Sequence, residues 1–180
     1  EPNSARSSLR QALYNLRSTL TPGASPIVAS HQTVTFSRDA DVWVDAEFFE
    51  DALRHADDGA AAHRLAQAVR LYRGELLDGC PVRAGSELED WIGRQRERLH
   101  EGAIQALRVL IAHHRERGEH RLAIQHAQHL LALDPLAEEA HRQLMSLYSL
   151  SGRRGRALSQ YEGLRNLLDR ELGVEPEEET

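Results

Sequence analysis

The chain has 180 residues, 41% of them hydrophobic, a formal net charge of −6 and one cysteine, Cys80. That length holds one generous domain, or a small domain beside part of another. No apolar run approaches the roughly 18 residues that span a bilayer. A lone cysteine excludes an internal disulfide framework and fits a reducing cytoplasm, and the negative balance argues against a chain that coats nucleic acid along its whole length.

All 22 basic residues are arginine, a compositional bias that makes any one arginine weak evidence for guanidinium-specific chemistry. The charge is uneven. Residues 1–38 carry four arginines against one glutamate, while Glu171, Glu175, Glu177, Glu178 and Glu179 crowd the other end. The opening Glu-Pro-Asn, without a methionine, reads as the start of a piece of something longer.

Residues 4–20 predict an amphipathic helix, with Leu9, Ala12, Leu13, Leu16 and Leu20 on one side and Asn3 or Ser4 able to cap the start. Arg6, Ser7, Arg10, Tyr14 and Arg17 fall on the other side, with Gln11 and Asn15 at the boundary. Arginine suits guanine edges, Asn and Gln suit adenine, and Ser suits phosphate oxygens; the solvated face of a plain amphipathic helix has the same make-up. Thr21-Pro22-Gly23 then breaks the chain, and Ile27, Val28, Thr33, Val34 and Thr35 predict a short antiparallel hairpin turning near Ser30-His31-Gln32. An arginine-bearing helix followed directly by a hairpin is the last third of a winged helix, whose hairpin tip reaches the DNA backbone or minor groove. The earlier helices of such a domain would precede Glu1.

An extended connector, Asp39–Asp45, carries Trp43 as its anchor, and Asp45 caps a helix over 46–56 that buries Phe48, Phe49, Ala52 and Leu53. Asp57-Asp58-Gly59 turns the chain into a helix over 60–73 bearing Leu65, Ala68, Val69 and Tyr72. After a loop, Ser86-Glu-Leu-Glu89 has the form of a capping box and opens a long helix over 87–117. Helices over 119–133, 136–151 and 153–172 follow. Sliding the chain by 34 residues pairs Leu110 with Leu144, Gly118 with Gly152, Ala123 with Ala157 and Leu130 with Leu164. A period of about 34 in helix–turn–helix units is the tetratricopeptide pattern, in which each hairpin completes the core of its neighbour.

Rival chemistries find little support. His113, His114, His120, His126 and His129 cluster, but without the cysteine or carboxylate spacing of a zinc site, and no His-Glu-x-x-His is present. Cys80 sits in a Gly-Cys-Pro loop with no partner base, and no phosphate-cradling glycine loop occurs. No catalytic residue, metal or cofactor is expected.

Several stretches resemble SARP-type transcriptional activators, the antibiotic-regulatory-protein regulators that carry a bacterial transcriptional activator domain (BTAD). They are Leu9-Arg-Gln-Ala-Leu-Tyr-Asn-Leu-Arg17, Tyr72-Arg-Gly-Glu-Leu-Leu77, Trp91 with Arg94 and Leu99, Tyr161-Glu-Gly-Leu-Arg165 and Glu171-Leu-Gly-Val-Glu-Pro176. The resemblance implies a mainly α chain: tetratricopeptide-like helical hairpins over 42–180, preceded over 1–41 by the end of a winged helix with its small β-hairpin. Helix 4–20 would be the recognition helix, turning Arg6, Ser7, Arg10, Gln11 and Arg17 to the major groove, with Tyr14 on the same face. His31-Gln32-Thr33 would be the wing, where Ser30-His31-Gln32 replaces the usual Gly-Tyr pair. The implied partners are promoter DNA, RNA polymerase or a sigma factor, and a second copy in a homodimer, in the cytoplasm and away from membranes. The alternative is a tetratricopeptide-type protein- or ligand-binding scaffold on which the N-terminal helix and hairpin merely pack. With the rest of the winged helix missing, Leu9, Leu13 and Leu16 are expected to be exposed unless another chain covers them, so self-association through that face or the repeat groove is expected.

Overall fold

A computed structural model of the chain describes residues 2–19, 26–30, 32–37, 42–56, 61–80 and 85–180. It divides into two compact units, Glu1–Val44 and Asp45–Thr180. Among the described residues there are seven helices and one two-stranded sheet, so the fold is mainly α with a small hairpin, as the sequence pattern predicts. The breaks expected at Thr21-Pro22-Gly23 and Asp57-Asp58-Gly59, and the wing residue His31, lie outside the described residues.

In the first unit, α1 spans Pro2–Thr19. It starts ahead of both expected caps because proline, lacking an N–H and fixed near helical φ, suits the first turn. Strands β1 (Ile27–Ala29) and β2 (Val34–Phe36) pair antiparallel, with Ile27 opposite Phe36 and Ala29 opposite Val34.

The second unit is a series of helical hairpins: α2 (Asp45–Arg54), α3 (Ala61–Leu71), α4 (Ser86–Glu116), α5 (His120–Leu133), α6 (Glu138–Leu150) and α7 (Arg154–Leu172). Each helix packs on the next, from α2 through α7. Leu65, Leu107, Leu110, Ile111, Leu130, Leu144 and Leu147 are all but inaccessible to water. At about 1.5–3 kcal/mol for each fully buried large aliphatic side chain, such residues dominate the favourable side of folding.

The 34-residue register holds at atomic detail. After α4, the N–H groups of Arg117, Gly118 and Glu119 bond to the carbonyls of His113, Arg115 and His114. After α6, those of Ser151, Gly152 and Arg153 bond to Leu147, Ser149 and Tyr148, the same three bonds one repeat later. Both turns need a left-handed residue, and Gly118 (φ +70°) and Gly152 (φ +72°) supply it without a Cβ penalty.

The capping box expected at Ser86 is not formed. Gly85 takes the extended cap conformation (φ −71°, ψ 162°), and its carbonyl accepts the N–H groups of Leu88 and Glu89. Ser86 already has helical backbone, and a side chain in that conformation does not fold back as a cap. Asp45, expected to cap a helix over 46–56, is itself the first residue of α2, and its carboxylate accepts only the adjacent Ala46 N–H at 2.8 Å.

The loop after α3 is fastened to α4. Arg96 Nε donates to the Leu76 carbonyl at 2.9 Å, its Nη1 pairs with Glu75 at 3.1 Å, and the Tyr72 hydroxyl meets His100 Nδ1 at 3.3 Å. The histidines of the α4–α5 hairpin form a stack instead of a ligand set. The His114 ring lies edge-on to His113 and face-on to His126, with centroids 5.2 and 5.3 Å away, and His114 Nδ1 bonds Glu119 at 2.6 Å. Among the described residues, no group of three or more His, Cys, Asp or Glu side chains is arranged to hold a metal ion.

Two expected outcomes follow from this packing. A Cβ on Gly102 would stand 2.7 Å from Leu53 Cδ1 and 3.2 Å from the buried Phe49 ring, whereas one on Gly93, on the same helix, would meet nothing within 4 Å. In thermal melts followed by circular dichroism, Gly102→Val should cost about 1–3 kcal/mol through overpacking. Gly93→Ala should stabilise by about 0.5–1 kcal/mol through helix propensity. The second outcome concerns His126. Burial first, then His114, His129 and Arg70, push its pKa down to about 4. The unfolded chain takes that proton near pH 6.5, so the contribution is whole above that pH and is lost as pH falls towards about 4. Urea titrations should show about 1–2 kcal/mol less stability at roughly pH 5 than at 7, and His126→Gln should flatten the difference.

Candidate nucleic-acid interface

Helical geometry places Arg6, Arg10 and Arg17 within roughly 40° of one another, over about 16 Å of the axis of α1. On the same projection Tyr14 and Ser7 lie roughly 80–100° round from Arg6 and Gln11 roughly 140°, with Leu13 only about 20° away on the other side; the six polar residues are all exposed. Tyr14 is 69% accessible, so its ring stands in solvent and is not part of a core. The Gln11 amide donates to Asn15 Oδ1 at 3.0 Å, which fixes its orientation along the helix. On the apolar side Leu9 and Leu16 are about half exposed, at 53% and 48%, and Leu13 is partly buried.

Arg17 also makes a contact that helix periodicity does not reveal. Its Nη2 donates to the Ile27 carbonyl at 3.1 Å, tying the end of α1 to the start of β1. A ridge of guanidinium groups is thereby held beside the hairpin within one small unit.

The hairpin tip is organised by Ser30. Its Oγ accepts the N–H groups of Gln32 (3.2 Å) and Thr33 (3.0 Å) and shares a 2.8 Å hydroxyl contact with Thr33, while its own N–H donates to the Thr33 carbonyl at 2.8 Å. This is the local side-chain-to-backbone bonding for which serine is favoured in tight turns. Of the three expected wing residues, Gln32 and Thr33 are therefore placed at the tip and exposed. Ser30 was the residue the pattern could have flagged, as a small hydroxyl at the first turn position. At their base the strands are closed by the Ser37 N–H to the Pro26 carbonyl, at 2.6 Å.

The arrangement can do two things chemically. Exposed guanidinium groups spaced along one helix can meet successive phosphates or guanine edges, and an ordered polar turn can approach a phosphate backbone. It offers no nucleophile with a base, and no helix among the described residues is long and apolar enough to cross a membrane.

Residues 41–180 match the family described as bacterial transcriptional activator domain. Regulatory protein AfsR of Streptomyces coelicolor is 29% identical over 97% of this chain, which corresponds to 17% of its own length. Regulatory protein DnrI of Streptomyces peucetius is 32% identical over 76% of the chain and 49% of its own length. Regulatory protein AfsR of Streptomyces griseus is 34% identical over 70% of the chain and 12% of its own length. The chain thus spans at most about half of the relatives it matches, and its likeness to the first of them reaches past the activator domain into the first unit. The chain belongs to the bacterial transcriptional activator domain family, the domain of SARP-type transcriptional regulators.

Proposed function

We propose that this chain is part of a cytoplasmic DNA-binding transcriptional activator. In this reading residues 1–41 are the end of a winged helix and 42–180 the activator domain. Helix α1 is the recognition helix: Arg6, Ser7, Arg10, Gln11, Tyr14 and Arg17 face the major groove, and the tip His31-Gln32-Thr33 is the wing. The helical unit pairs the protein with a second copy and contacts RNA polymerase or a sigma factor. The observation that carries the reading is the row of three exposed arginines on one face of α1, beside a hairpin, in a chain whose remainder belongs to an activator-domain family. The match to AfsR across both units supports it further.

The electrostatics fit such a division of labour. An exposed guanidinium on a phosphate releases counterions and so gives affinity with a salt slope, while one on guanine gives sequence preference. Arg17, tied to the Ile27 carbonyl, is the best placed to sense both helix and hairpin.

Promoter binding by the intact protein tests the reading. Replacing Arg10 and Arg17 together by Ala should weaken binding by roughly 10–100-fold and lower the salt slope by about 2. Gel-shift or anisotropy titrations at several salt concentrations read both quantities. Unchanged affinity and slope would leave the scaffold reading, in which α1 and the hairpin only support the helical unit.

A further inference from the structure

Two long stretches of the chain hold no carboxylate. Residues 2–38, with α1 and the hairpin, carry four arginines and no Asp or Glu. Residues 140–161, with the turn from α6 into α7, do the same, within a unit where carboxylates otherwise outnumber arginines. Of this second set, Arg142 is taken up by Glu139 and Glu177. Arg153, Arg154 and Arg156 are exposed and form no ion pair among the described residues, and Arg156 lies over the Tyr148 ring, 6.0 Å from its centroid.

The earlier repeat shows that the fold does not ask for these cations. The turn from α4 into α5 makes the same backbone bonds, yet Glu119, His120 and Leu122 stand where Arg153, Arg154 and Arg156 stand later. There the charge is answered locally: Glu119 bonds His114 at 2.6 Å and Arg117 at 3.4 Å. Cations at the start of a helix also oppose its dipole, which favours carboxylates at that end. Helices α2, α4 and α6 follow that preference, with Asp45 and Glu47, Glu87 and Glu89, and Glu138 and Glu139. Helix α7 opens on arginines, with no acidic residue in its first turn. A cluster that neither the repeat nor the helix calls for points to an anion outside the unit. This edge stays open when hairpins stack: α6 packs on α5, and Glu119 and Arg121 at the earlier turn are still exposed.

The side chains suit a phosphate backbone. Gly152 and Gly155 space the arginines, and a Cβ on either would meet nothing within 4 Å. Ser149 and Ser159, before and after the turn, expose further donors. Three guanidinium groups hold a partner from solution only weakly. A unit joined in one chain to a DNA-bound unit, however, meets neighbouring phosphates at high effective concentration.

We propose that the turn from α6 into α7 is a second, sequence-independent DNA contact, in which Arg153, Arg154 and Arg156 hold the phosphate backbone flanking the operator. The proposal rests on the reading of α1 as a DNA-binding helix and gives the activator domain a share in the same duplex.

Anisotropy titrations of the intact protein test it with two duplexes: the footprinted operator, and that operator lengthened by about 15 base pairs of unrelated sequence on each side. The longer duplex should bind roughly tenfold more tightly. Arg153→Gln, Arg154→Gln and Arg156→Gln together should abolish that gain and lower the salt slope by about 2–3 on the longer duplex only. Unchanged binding of the short duplex shows that the variant is folded. Lysine at the same three positions should keep the gain, since phosphate accepts either cation. Gln at the exposed Arg94, Arg108 and Arg165, which removes the same charge elsewhere, should also keep it. Equal loss from both Gln triples would mean bulk charge and would overturn the contact, as would equal affinity of the unaltered protein for the two duplexes. A first Gln triple with full affinity for both duplexes but weaker activation in transcription in vitro would also overturn it. The turn would then belong to an acidic protein segment anchored on the exposed Leu150 and Leu158. An intact protein that binds no promoter DNA would overturn the reading of α1 as well.

Discussion

An amphipathic helical hairpin carries apolar surface on two sides and can bury only one of them within itself. The second unit is a solution to that constraint. Leu110 and Leu130 of one hairpin, and Leu144 and Leu164 of the next, are all buried and stand in the same relation 34 residues apart. The identical turn bonds after α4 and α6 hold the two hairpins at the same opening, so each presents its neighbour with the same surface. Regularity of the backbone is what lets side chains of different shape, such as Ala127 and Tyr161, occupy equivalent places without breaking the stack.

The helices are joined polar end to polar end with few unpaired groups. His141 is 6% exposed, yet both ring nitrogens are engaged: Nε2 donates to the Pro135 carbonyl at 3.0 Å and Nδ1 accepts from the Gln160 amide at 2.7 Å. Together these contacts link α6 to α7 across the interior. Nearby, Arg142 gathers the acidic end of the hairpin. It bonds Glu139 and Glu177, whose carboxylates hold its proton more firmly than usual, and bonds from Gln143 and Arg142 keep the Glu139 carboxyl below the ordinary range. Glu138 accepts the Glu177 N–H at 3.0 Å and the Thr180 hydroxyl at 3.1 Å. The C-terminal tail is thus folded back on the start of α6.

Much of this was legible in the sequence, for a physical reason: periodicity and turn chemistry are local. The six helices of the second unit and the repeat, which pairs Gly118 with Gly152, follow from spacing. Helix ends were read less well, since Ser86 and Glu89 satisfy a capping pattern that Gly85 pre-empts by taking the extended conformation. The polar links are the part no pattern announces. Arg17 to Ile27, His141 to Gln160 and Arg142 to Glu177 join residues 10, 19 and 35 apart, and their partners are decided by which helix faces meet. In the acidic ending Glu177 is bonded to Arg142 and Glu138 although, like Glu178 and Glu179, it stays exposed. At the candidate interface the arginine row and the turn near Ser30 were legible, but the bonds from Gln32 and Thr33 that converge on Ser30 came with the geometry.

Charge then separates the two units by sign. Before Asp45 there are four arginines against three carboxylates; from Asp45 onward there are eighteen against twenty-five. An acidic body repels a phosphate backbone over the Debye length, about 8 Å at physiological salt, and so weakens any diffuse adhesion to DNA. Attraction is then confined to places where guanidinium groups stand free of carboxylates. Arg6 and Arg10 meet that condition, with no ion pair among the described residues, whereas Arg64, Arg96, Arg98 and Arg142 are each held by a carboxylate of the helical unit. The helical unit spends part of its positive charge on its own cohesion, whereas Arg6, Arg10 and Arg17 share one face of α1 with no carboxylate paired to them among the described residues.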